Sequence, residues 1–156
     1  MNSVGSDAPD VKIIPPLVYL AGIVIGLLAS IWMPTRVVPG SAAWTAGGIL
    51  FLCGAALTGA AFRKFKAAGT TVRPDRAARA LVIAGPYRFT RNPMYLGLAL
   101  AYLGIATAVQ SVWAIVLLPV VLTIIRRRAI EPEEAFLERQ FGADYVRYKT
   151  AVRRWL

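Results

Sequence analysis

Residues 13–33 read IIPPLVYLAGIVIGLLASIWM, 21 residues without a charge. At about 1.5 Å per residue, a helix of that length crosses a hydrocarbon core of about 30 Å. The Pro15-Pro16 pair sits where such a helix would start. A second uncharged run, Ser41–Phe62, has 22 residues. Between the two, Pro34-Thr35-Arg36 and Pro39-Gly40 place helix-breaking chemistry at both ends of a turn. Two shorter runs, Tyr95–Val109 and Val112–Ile125, flank Gln110-Ser111 and read as a tight helical hairpin. They gain length from Pro93-Met94 before and Arg126 after. Pro119 is expected to kink the last run, with neighbouring helices satisfying the carbonyl it frees.

The composition agrees with this pattern. The chain has 156 residues, 57% hydrophobic and 17% charged, with a mean hydropathy of +0.56. A soluble domain runs about 45–50% apolar and about 25% charged, so a water-soluble globule of this composition would expose large apolar patches. The expected fold is all-α, a single polytopic membrane domain over 1–156 with about four transmembrane helices. Its parts are a flexible tail 1–12, spans 13–33, 41–62, 93–109 and 112–126, a cytoplasmic loop 63–92, and cytoplasmic C-terminal helices over 131–156. Met1–Asp10 is polar and acidic with no basic n-region, which reads as a tail and not a cleavable signal. Within the spans, Gly22 with Gly26, Ala55 with Gly59, and Gly97 with Gly104 are spaced for close helix packing. Cys53 reads as a small buried apolar residue.

Charge placement sets the orientation. The net charge is +10, and 16 of the 18 basic residues lie between spans two and three or after span four. Lys12 falls on the same side and Arg36 on the other. This asymmetry predicts that both termini and the 63–92 loop are cytoplasmic. It assigns the basic balance to topology and anionic headgroups rather than to nucleic acid. The expected location is an integral position in a bacterial-type inner or plasma membrane. A lone cysteine and the absence of histidine exclude intrachain disulfides, thiolate clusters, His-dependent zinc sites and imidazole bases. No metal site is expected.

Polar chemistry concentrates in two cytoplasmic pieces. In the first, Gly85–Gly97, Gly85-Pro86 is a turn and Asn92-Pro93 has N-cap and N1 chemistry. A helix N-terminus beside Arg88 and Arg91 is a seat for a carboxylate or phosphate. The structural alternative is that both arginines snorkel to headgroups while Asn92 merely caps. In the second piece, Pro132 starts a short helix and Gly142 stops it. Glu134, Leu137 and Phe141 share one face, which makes Glu134 a carboxylate on the apolar side that needs a partner. Glu133 is placed to pair with the Arg126–Arg128 run. The alternative is that these acids only complement the helix dipole.

GPYRFTRNPMYLG, a hydrophobic hairpin, and then EExxLxxxFGxxYxxY resemble the isoprenylcysteine carboxyl methyltransferase and phospholipid methyltransferase family of integral-membrane enzymes. The resemblance covers roughly Ala68 to Leu156, with the Ala68–Val72 loop and the closing Val152-Arg153-Arg154-Trp155. It implies that the protein is an S-adenosylmethionine-dependent methyltransferase in which both motifs close over the cofactor from the cytoplasmic side. Carried over residue by residue, it implies Arg91, Asn92, Pro93, Tyr95 and Gly97, with Tyr87 and Arg88 upstream, as cofactor-binding. Glu133 and Glu134 follow from the second motif, with Tyr145 and Tyr148 as wall residues. Glu134, Arg91 and Tyr95 are the implied catalytic set. Family members often carry histidine where this chain has Asn92, so no titrating imidazole serves here.

The implied partners are the lipid bilayer and a lipophilic acceptor that reaches the site sideways from the membrane. That acceptor is a carboxylate, an amine or a thiol. Two other readings stay open at this point. One is a sterol-reductase-like NADPH enzyme, which shares the C-terminal resemblance; the shorter chain and the Glu-Glu pair argue against it. The other is a non-enzymatic four-helix protein whose basic loops bind anionic lipid.

Overall fold

The structure is a computed structural model that describes residues 9, 11, 13–34, 39–69 and 80–156. The described residues form helices and no strand: α1 (Pro15–Trp32), α2 (Gly40–Ala67), a 3-10 turn (Gly85–Arg88), α3 (Pro93–Ala108), α4 (Val112–Ile125), a π-helical segment (Arg126–Ile130), α5 (Glu131–Phe141) and α6 (Ala143–Ala151). Two of them, α1 and α2, are long and apolar enough to cross a membrane. At 16 and 14 residues, α3 and α4 are shorter than the roughly 20 residues that a perpendicular span uses.

Three boundaries differ from the sequence reading. First, α2 runs past Phe62 to Ala67, because Arg63, Lys64 and Lys66 are good helix formers that complement its C-terminal dipole. It stops before Gly69, whose φ of 64° favours glycine. Second, α4 runs without interruption through Pro119. Third, α4 continues directly through the π segment into α5, so the C-terminal helices begin as an extension of the last apolar helix. The expected turn at 35–38, the Thr70–Val72 part of the loop, and Arg73, Arg76 and Arg79 lie outside the described residues.

Small residues fix the helix positions. Gly22 lies against Tyr102 and Val121, and Gly26 against the Ala114 backbone, which seats α1 on α3 and α4. Gly47 meets Gly104, and Gly54 meets Gly97, so α2 and α3 run side by side with backbones nearly touching. Ala55 and Gly59 do not take part. Ala55 is exposed and a Cβ at Gly59 would meet open space, because α2 turns the Gly47–Gly54 face to α3 instead. For the same reason Cys53 is exposed, not buried.

The α3–α4 hairpin turns on Gln110, at φ 55°. Ser111 caps α4 by accepting from the Ala114 N–H at 3.2 Å, and its hydroxyl donates to the Gly26 carbonyl at 3.1 Å. Trp113 Nε1 donates to the Met33 carbonyl at 3.0 Å, which brings the end of α1 to the hairpin tip. Leu20, Ile31, Trp44, Leu52 and Val116 are exposed on the outer surface, a composition suited to lipid and not to water.

A Cβ at Gly97 would overlap Thr58 Oγ1 and the Gly54 carbonyl. Gly97→Ala is therefore expected to destabilise the protein by about 1–3 kcal/mol through overpacking. Gly59→Ala, with open space around it, should leave stability unchanged or slightly raised. Thermal unfolding of both variants in detergent checks the pair; equal effects would contradict the assigned helix face.

Candidate active site

The segment before α3 is shaped by two local devices. Gly85, at φ 64°, opens the 3-10 turn, and the Lys64 side chain lies across it with Cε 2.9 Å from where a Cβ would stand. Thr90 then turns inward: its hydroxyl donates to the Arg154 carbonyl at 3.0 Å and accepts from the Asn92 N–H at 3.2 Å. Asn92 occupies the N-cap position of α3, yet its side chain makes no capping bond. Nδ2 instead donates to the Arg154 carbonyl at 3.2 Å. The expected cap is thereby corrected, since the buried C-terminal tail offers an acceptor that competes with the helix end.

A cavity of about 710 Å³ lies between the start of α1, the end of α2 and the start of α3. Its size falls within the roughly 300–1,000 Å³ of small-molecule sites. The walls are mainly apolar, with Ile14, Phe62, Phe65, Met94 and Leu98 among them. The polar groups that converge on it include Arg91, Tyr95 and Glu133.

Arg91 is the unusual group. Its side chain is 10% exposed, and Nε and Nη1 have no hydrogen-bond partner. Nη1 stands 3.4 Å from Glu134 Oε1, close enough for ion pairing and too poorly aligned for a hydrogen bond. Buried donors left without acceptors cost about 1–3 kcal/mol each, more for charged groups. On a cavity wall they mark where an anionic ligand group would be welcome.

Tyr95 and Glu133 form the second polar feature, with the tyrosine hydroxyl donating to Oε2 at 3.0 Å. Burial pushes the Glu133 carboxyl up from 4.5 to about 7. The Tyr95 hydrogen bond opposes that rise and the neighbouring Glu134 charge adds to it. Tyr87 is buried and lies against Phe65, ring centroids 5.3 Å apart. Its carbonyl accepts from the Tyr148 hydroxyl at 2.7 Å. Burial raises the pKa of Tyr87, Tyr145 and Tyr148, and the charge of Arg91 pulls the last two back down.

Of the residues singled out in the sequence, the structure brings Tyr87, Arg91, Asn92, Pro93, Tyr95 and Glu133 to the cavity wall. Others fall elsewhere. Arg88 is exposed on the 3-10 turn, outside the cavity lining. Gly97 faces α2, where its missing Cβ admits Thr58. Glu134 is buried but absent from the lining, because Arg154 and Arg91 take it from behind. Tyr145 and Tyr148 likewise stand outside the lining, near Arg91. The expected pairing of Glu133 with the Arg126–Arg128 run is overturned: Arg126 Nε donates to Glu131 at 2.9 Å, while Glu133 accepts from Tyr95. Sequence reasoning missed Arg154 and the wall supplied by Ile13–Pro16 and Thr58–Phe65. The Val152–Trp155 motif contained Arg154 without a role, and no local pattern in α1 or α2 marks a residue for the cavity.

The fold and site define an apolar helical bundle with a ligand-sized cavity at one end and a buried cation and carboxylate in its wall. The family model described as phospholipid methyltransferase matches residues 42–144, and the chain belongs to that family. It is a methyltransferase family whose members generally use S-adenosylmethionine. Membership and the two long apolar helices together support a membrane location. A Haemophilus influenzae protein described as uncharacterized is 36% identical over 63 residues, covering 40% of this chain and 79% of its own length. No solved structure matches the chain.

Proposed function

We propose that the protein transfers a methyl group from S-adenosylmethionine to a lipophilic or amphipathic acceptor at the cytoplasmic membrane face. The observation that carries this reading is the buried Arg91 guanidinium, with two unpartnered donors, in the wall of an apolar cavity. The residues present fit the cofactor. Arg91 would hold its carboxylate through charge-assisted hydrogen bonds, and the aromatic and aliphatic walls would enclose the rest. The cofactor supplies an electrophilic methyl group on a sulfonium.

The chain supplies alignment, exclusion of water and a proton acceptor. Glu133 is the group for that last role. One oxygen is held by Tyr95, burial raises its basicity to about 7, and no histidine competes. An amine or thiol acceptor would give up its proton to this carboxylate as the new bond to the methyl carbon forms. A carboxylate acceptor would need no base.

We read the α3–α4 hairpin as crossing the membrane beside α1 and α2, with both chain ends cytoplasmic. In support, Arg63, Lys64, Arg91 and Arg126–Arg128 gather at the cavity end, while Met33 and Trp113 meet at the other. Ile14 and Phe62, which line the cavity from α1's start and α2's end, are themselves 63% and 47% exposed. This places an apolar mouth between those helices, open to the bilayer side.

An acceptor that comes through it gains about 0.8 kcal/mol per buried CH₂. Methyl transfer from radiolabelled cofactor should therefore rise with acceptor tail length across a series of amines, thiols and carboxylates. It should fall as detergent dilutes the acceptor in the micelle. A short water-soluble acceptor used as well as its long-chain analogues would contradict lateral access.

A further inference from the structure

Beyond α6, the tail Val152–Leu156 joins the two polar motifs. On the backbone side, the Arg153 carbonyl accepts from the Arg91 N–H at 2.9 Å, and the Arg154 carbonyl accepts from Thr90 and Asn92. On the side-chain side, Arg154 Nε donates to Glu134 Oε1 at 3.1 Å and Nη2 to Oε2 at 2.7 Å. This is a fork-to-fork pairing that occupies both carboxylate oxygens. Glu131 lies 3.7 Å from Arg154 Nη1 and is itself held by Arg126, which steadies the fork from outside. The family match ends at residue 144 and does not reach this tail.

Two arginines thus compete for one buried carboxylate. Arg154 wins it with two aligned hydrogen bonds, and Arg91 is left at 3.4 Å with Nε and Nη1 unsatisfied. Without the Arg154 fork, Glu134 would be a buried anion with Arg91 as its nearest cation. An uncompensated buried charge is costly enough to pull that guanidinium fully onto it.

We propose that Arg154 is a positioning residue for anion binding: by taking both oxygens of Glu134, it keeps the Arg91 donors free for the carboxylate of a ligand in the cavity. The choice of ligand rests on the methyltransferase reading above; the competition between the arginines does not.

The test compares the wild-type protein, Arg154→Gln and the double variant Glu134→Gln/Arg154→Gln by titration calorimetry in detergent. The probes are S-adenosylhomocysteine, which bears a carboxylate, methylthioadenosine, which carries the thioether nucleoside without it, and inorganic phosphate. Arg154→Gln should weaken S-adenosylhomocysteine about tenfold or more, and methylthioadenosine by less than about twofold. In the double variant residue 134 has no charge to capture Arg91, and affinity for S-adenosylhomocysteine should return to within about threefold of wild type. Equal losses for both nucleosides would show general loosening and overturn the proposal, as would a double variant no better than Arg154→Gln. If the wild type binds neither nucleoside, the methyltransferase reading falls and phosphate alone decides the role of Arg154. Loss and recovery of phosphate binding in the same order would support it, and no phosphate binding to the wild type would overturn it.

Discussion

Glu133→Gln is expected to lower turnover of an amine or thiol acceptor by about a hundredfold or more, the usual contribution of a positioned general base. The amide keeps the shape and the contact with Tyr95 but accepts no proton. Cofactor affinity should change little, because the anion seat lies at Arg91. The pH dependence has a definite sign. Burial raises the Glu133 carboxyl to about 7, so the ionised, base-competent form accumulates as pH rises through that value. The wild-type rate should climb through about pH 7, and the Gln variant should lose that limb. Stability runs the other way: the native state binds the proton more tightly than the unfolded chain, so this group's contribution is lost as pH rises from 4.5 to about 7. Glu138→Gln, whose exposed carboxylate pairs with Lys149, should change neither property appreciably. Unchanged turnover in Glu133→Gln would contradict the base assignment and leave a carboxylate acceptor, which needs no base.

The second large effect is expected at Arg91. Arg91→Ala removes the unsatisfied donors from the cavity wall and should weaken S-adenosylmethionine by about 1.5–3 kcal/mol, roughly ten- to hundredfold in Kd. Arg91→Lys should fall between, since an ammonium keeps the charge but not the planar fork. Arg147→Ala, on an exposed arginine paired with Asp144, is the control that should do nothing to affinity. Because Arg91 also faces Glu134, the Ala variant leaves that carboxylate with Arg154 alone, a partner that already satisfies both oxygens. Loss of affinity in Arg91→Ala is therefore a loss of ligand contact, not of a buried ion pair. A variant that binds the cofactor as the wild type does would move the anion seat elsewhere.

How much of this was written in the chain depends on the range of the interaction. Runs of apolar residues and their breakers are local, and they placed α1, α3, α4 and the hairpin turn within a residue or two. Gly142 as the stop of α5 was equally legible, and it sits at φ 52°. Helix faces were less so. Both Gly54 and Gly59 are small, and only the approach of α3 decides that Gly54 is the one in contact. The Glu133–Glu134 pair shows the same limit. Periodicity put Glu134 on an inward face, where it is indeed buried, but its partner comes from a tail twenty residues on. The uninterrupted passage from α4 through a π segment into α5 sets the register in which Glu133, not Glu134, reaches Tyr95. No residue pattern in Arg126–Ile130 announces that register. The cavity is the least legible feature, because it is a gap between the start of α1 and the end of α2, segments with nothing polar to mark them.

The central claim is that the cavity binds S-adenosylmethionine through Arg91. Calorimetric titration of the wild-type protein in detergent with S-adenosylhomocysteine, run beside NADPH, tests it most directly. The account predicts saturable binding of S-adenosylhomocysteine, weakened in Arg91→Ala, and no binding of NADPH. Saturable NADPH binding with none for S-adenosylhomocysteine would contradict it.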